Sequence, residues 1–128
     1  MDLTRTPSDL ADDAAEAIRS LNHVTIHRDA YREPADINST VARIQALAYA
    51  VPQAISQTAR TLQAMDEEPG IRIDSGADSA EMVAEAVQEM QRAQQAFQAA
   101  GEALSRANQR LSTMGWHFTP AGTEDDGQ

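Results

Sequence analysis

Residues 83–114 read VAEAVQEMQRAQQAFQAAGEALSRANQRLSTM, and the reading of this stretch decides the fold. Large apolar side chains recur every seven positions at Val83, Met90, Phe97, Leu104 and Leu111, followed by Met114. Alanines fall between them at Ala86, Ala93, Ala100 and Ala107. Steps of three and four residues are the period of a helix with one apolar seam. An alanine in each heptad lets a second helix approach more closely than leucine would. The pattern therefore predicts a long helix over 78–114 in a close antiparallel, Alacoil-like pairing.

The second helix of that pair lies upstream. Ile37, Val41, Ile44, Ala48, Val51, Ile55, Thr58, Leu62 and Met65 alternate steps of four and three. They predict a helix over 36–66 that starts just after Pro34, a residue well suited to a first turn. Pro52 interrupts the stripe without changing its phase, which predicts a kink. Between the two helices, DEEPGIRIDSG (66–76) holds a proline and two glycines and reads as a connection. Within it, Ile71 and Ile73 are expected to close over the bundle end. Asp78 with Glu81 resembles a capping box. Gly115 suits a helix stop, with Trp116 folding back on the last turn. Glu102 and Arg106 are spaced for an ion pair.

A shorter amphipathic helix is expected over 8–21, capped by Ser8, with Leu10, Ala14, Ala17, Ile18 and Leu21 on one face. Residues 1–7 read as a flexible N-terminus and 119–128 as a disordered acidic tail. One helical domain thus covers 8–118. The two long helices would extend about 45 and 55 Å at 1.5 Å per residue. Leu47 and Val87 sit beside the main seams, so each long helix has a second face to cover. The fold expected is all-α: a long antiparallel hairpin with a short N-terminal helix on its outside, pairing as a homodimer into a four-helix bundle.

Composition narrows the function. The 128 residues carry 20 acids against ten bases, a net charge of −10, and every base is arginine. Leu, Ile, Val and Phe make up 21 residues, a thin supply for a core, but 24 alanines favour helix. So acidic a chain repels phosphate, which argues against nucleic acid as a partner. No apolar run reaches the roughly 20 residues that span a membrane. The opening MDLTRTPSDLADD lacks the basic-then-apolar order of a signal peptide, so a cytoplasmic location is expected. With no cysteine there is neither thiolate ligand nor cysteine nucleophile.

Candidate chemistry is sparse. His23 and His27 stand four apart near Asp29, a metal-ligand spacing if they share a helix face, but the segment lacks a helical period. The acids Asp66, Glu67 and Glu68, and the row Glu81, Glu85 and Glu89, read as solvated faces. Neither long helix holds the Glu-x-x-His pattern of a di-iron bundle. No nucleophile elbow or phosphate loop occurs, so no catalytic residue, metal ligand or cofactor is assigned. Gln94, Gly101 and Asn108 recur every seven residues beside the seam. Either they set register against a partner helix, or they face water. Trp116, His117 and Phe118 form an aromatic cluster that either caps the core or anchors a partner.

EAIRSLNHVT (16–25), Pro34, Asp36 and LAYAVPQAISQTARTL (47–62) resemble small all-helical proteins of Streptomyces-type actinobacteria. The likeness covers roughly residues 16–111, and an alanine-rich, all-arginine composition fits GC-rich coding. It implies an all-helical fold and no particular activity. The function expected from the residues is a non-enzymatic protein–protein interaction module that binds itself and another protein. Its interaction residues would be Phe97, Leu104, Leu111, Trp116 and Phe118. The alternative is an acidic, antitoxin-like inhibitor that covers a basic partner or mimics nucleic acid.

Overall fold

The computed structural model describes residues 3–68 and 70–117. Among them the chain is helical, with no strand: α1 (Pro7–Val24), α2 (Pro34–Glu67) and α3 (Ser79–Leu111), plus a 3-10 turn at Arg28–Ala30. Phe118 and the acidic tail expected over 119–128 lie outside the described residues.

Local chemistry sets each boundary. α1 begins earlier than Ser8, because Thr6 is the cap: its side chain accepts from Asp9 N at 3.2 Å, and Pro7 occupies the first helical position. Proline there forfeits an N–H that has no helical partner anyway. α1 also runs past Leu21 to Val24, where the Thr25 hydroxyl donates to Leu21 O at 2.9 Å. α2 starts at Pro34, with the Asp36 carboxylate accepting from Arg32 N at 2.9 Å. α3 stops at Leu111, short of the expected 114. Ser112 Oγ donates to Gln109 O at 2.9 Å and Thr113 Oγ1 to Arg110 O at 2.7 Å. Hydroxyls that compete for the last carbonyls end the helix, so Gly115 is not its stop. Left-handed backbone occurs instead at Gly76, φ +83°, in the connection.

The hairpin of α2 on α3 is the body of the molecule. Its buried apolar residues are Ala48 and Ala59 on α2 and Val83 and Val87 on α3, each 6% exposed. Leu62, Met90 and Ile71 pack against the cluster of Ala59, Val83 and Val87 at the loop end. Ile71 thus closes that end, as its place in the connection suggested. Burying each valine stabilises the fold by about 1.5 kcal/mol or a little more.

The seam differs from the expected one in its residues. α3 turns Val83, Val87, Met90, Gln94, Gly101 and Asn108 toward α2, while Ala86, Phe97, Ala100 and Met114 remain exposed. At roughly 100° per residue, the two sets lie about a quarter turn apart. The reason is closeness. Gly101 is buried against the Tyr49 ring, and a Cβ built on it would stand 2.5 Å from Tyr49 Cε1. Gln94 Nε2 donates to Pro52 O at 3.3 Å. Asn108 donates to Gln45 Oε1 at 2.9 Å, or with its amide turned over to Asn38 Oδ1 at 2.7 Å. Ser79 Oγ donates to Asp66 Oδ1 at 2.9 Å beside the loop. The heptad-spaced polar residues therefore bond across the seam rather than facing water. Pro52 is buried in this contact, and α2 remains helical through it.

α1 is held less tightly: none of its residues is buried, although Ile18 and Leu21 are half-covered. Its own ion pairs, Arg5 to Asp13 and Glu16 to Arg19, are exposed. No ion pair forms between Glu102 and Arg106; Arg110 Nη1 donates to Arg106 O instead.

Two outcomes are expected. Gly101→Ala should destabilise the chain while Tyr49 is present, yet stabilise it by up to about 1 kcal/mol in a Tyr49→Ala background, where helix propensity alone acts. Denaturation of the four proteins measures this; equal effects in both backgrounds would refute the contact. Asn108→Leu should cost about 1–2 kcal/mol by stranding the Gln45 amide, and no loss would show that amide to be solvated.

Candidate interaction surfaces

The seam buries mainly small side chains, with Leu62, Met90 and Ile71 at its loop end, and other large apolar ones lie outside it. The first such place is a groove of about 840 Å³ between α1 and the hairpin. Leu10 and Ala14 line it from α1, Val51 and Ile55 from α2, and Met90 from α3. Val51 and Ile55, which the sequence assigned to the α2–α3 seam, are half-buried and line this groove.

The second is a recess of about 350 Å³ where the start of α2 meets the end of the chain described. Trp116, Tyr31, Pro34 and Ile37 form its walls, with His27, Arg28, Arg32 and Glu33 around them. Trp116, 48% exposed, lies four residues beyond the Ser112 cap. A third hollow, about 520 Å³, is polar, with Gln53, Gln91, Gln94, Gln95 and Gln98 along it.

Of the residues expected to meet a partner, Phe97, Leu104 and Leu111 form one row on α3. Phe97 is 38% exposed, while Leu104 and Leu111 are half-buried. Trp116 does not join that row but belongs to the recess. Sequence reasoning missed the outward side of α3, where Met82 and Met114 are 42% and 51% exposed and Ala96, Ala99, Ala100 and Ala103 are all exposed. Of those alanines the expected repeat included only Ala100, while its Val83 and Met90 pack toward α2 as expected.

The histidines are not brought together on a helix face. His23 lies in the last turn of α1, and His27 lies past Thr25 as the cap of the 3-10 turn. Among the described residues no group of three or more His, Cys, Asp or Glu is placed to hold a metal ion. Glu67, Glu68, Glu81, Glu85 and Glu89 are exposed, and Asp66 is the acid that bonds Ser79. No helix among the described residues is long and apolar enough to cross a membrane. Compared with protein-family models, curated proteins and solved structures, the chain matches none.

Trp116 is the chain's one tryptophan, so its fluorescence reports the recess directly. Ile37→Ala removes one wall and should shift the emission to the red and raise acrylamide quenching. Unchanged emission would place Trp116 outside the recess.

Proposed function

We propose that this protein is a non-enzymatic helical interaction module whose first partner is a second copy of itself, two hairpins joining into a four-helix assembly. The observation that carries the reading is an inversion. The residues buried in the seam are alanine, valine, proline and glycine, while Phe97, Met65, Met82 and Met114 stay 38–52% exposed. A core of that size contributes little, and apolar side chains left in water are available to stabilise an association.

Length favours a second copy as the occupant. α1 has 18 residues, about 27 Å, whereas α2 and α3 have 34 and 33, about 50 Å each. The chain's own helix is too short to cover the hairpin, and another hairpin matches it end to end. The acidic-inhibitor alternative has less support, because α3 sets Arg92, Arg106 and Arg110 beside its glutamates. Once assembled, the module would offer the Trp116 recess and its acidic faces to a different protein.

Sedimentation equilibrium from low to high micromolar concentration tests the proposal. The expected mass approaches twice 13.9 kDa, and the melting temperature rises with concentration, as it must when folding and association are linked. A single 13.9 kDa species at the highest concentration, with a constant melting temperature, would overturn it.

A further inference from the structure

The outward side of α3 carries a repeat of its own. Within α3 it runs from Met82 to Arg110 in steps of four and three, and its middle is alanine: Ala93, Ala96, Ala100 and Ala103. Two charges interrupt it, Glu89 toward one end and Arg110 toward the other. At roughly 100° per residue, this face lies about 130° round the helix from the α2 seam. Ala86, Ala96, Ala100 and Ala103 are exposed, while Ala93 and Ala107 are half-buried.

Reversed about Gln98, the middle of the row meets its own alanines, Ala96 opposite Ala100 and Ala93 opposite Ala103, while farther out Ala86 falls opposite Arg110 and Glu89 opposite Ala107. Charge follows the same centre independently. Glu85 and Glu89 stand thirteen and nine residues before Gln98; Arg106 and Arg110 stand eight and twelve after it. Reversal therefore lays the acidic pair over the basic pair, whereas parallel pairing would set glutamate on glutamate. Within the described chain the Arg106 guanidinium makes no ion pair, and Glu89 holds only the exposed Arg92 at 3.3 Å.

We propose that a second copy docks here, α3 antiparallel to α3, with a two-fold axis passing beside Gln98. The contact is isologous, so each complementary pair occurs twice. Alanines at its centre allow close approach of the backbones, Met82 lies toward its end, and Phe97 lies at its rim. The four helices then stand side by side in the order α2, α3, α3, α2, a more open arrangement than a square bundle. This inference rests on the self-association proposed above and adds the face.

Two charge-reversed proteins test it: Glu85→Arg with Glu89→Arg, and Arg106→Glu with Arg110→Glu. All four positions are exposed, so circular dichroism should show each protein as helical as the native chain. Each alone should dissociate at least tenfold more readily than the native protein, and an equimolar mixture should form a one-to-one pair. Glu89 and Arg106 are about 25 Å apart along one helix, so rescue on mixing requires contact between copies. Native-like association of either variant alone, or a mixture that stays monomeric, would overturn this face while leaving self-association standing. A monomeric native chain would instead remove the reading beneath it.

Discussion

Everything in this molecule depends on how closely α2 and α3 approach. At Gly101 there is no room for a methyl group, because the Tyr49 ring lies where Cβ would be. A chain with so few large aliphatic residues cannot hold two helices together by bulk. It brings the backbones near enough that alanine and valine fill the gap, and such contacts weaken steeply with distance. Glycine in mid-helix costs about 1 kcal/mol in propensity. That cost is accepted at the position where the partner side chain is largest.

Close packing by small residues specifies register poorly, since alanine faces can slide past one another. The amides supply what the apolar contacts lack. Ser79 to Asp66, Gln94 to Pro52 and Asn108 to Gln45 tie the hairpin near the loop, in the middle and at the open end. Each bond is worth about 1 kcal/mol net, but a slip by one heptad would leave all of them unmade at once. The cost of misalignment is therefore several times that of any single loss. Apolar burial is concentrated at the loop end, in Ala59, Val83 and Val87, and polar bonding continues the alignment beyond it.

Helix existence was legible because it rests on long periodic patterns: the stripe from Ile37 to Met65 and the heptads from Val83 to Leu111. Boundaries depended on single hydroxyls. Thr6 rather than Ser8 caps α1, and Ser112 and Thr113 end α3 before Gly115. A list of residues does not distinguish one nearby cap from another. The seam was legible only in part: Val83 and Met90 pack toward α2 as expected, but the phase of the rest was not legible. Phe97 and Leu104 drew attention, whereas the positions that meet α2 include Gly101, Gln94 and Asn108, which look like surface residues until the partner backbone is present.

The same difference of phase underlies the face proposed for a second copy. One helix carried two overlapping repeats, a glycine-and-amide row for α2 and an alanine row a third of a turn away. A heptad count cannot separate them, because each has the same period and they differ only in phase. Phase becomes visible when exposure is known: Val83 and Val87 are covered, while Ala96, Ala100 and Ala103 are not. A solvated helix face has no physical need for alanine at every third and fourth position. Glutamate or arginine would hold the helix as well and keep the chain more soluble. Alanines held in phase from Ala86 to Ala107, with Glu89 and Arg110 toward the two ends, suit close antiparallel contact between like helices.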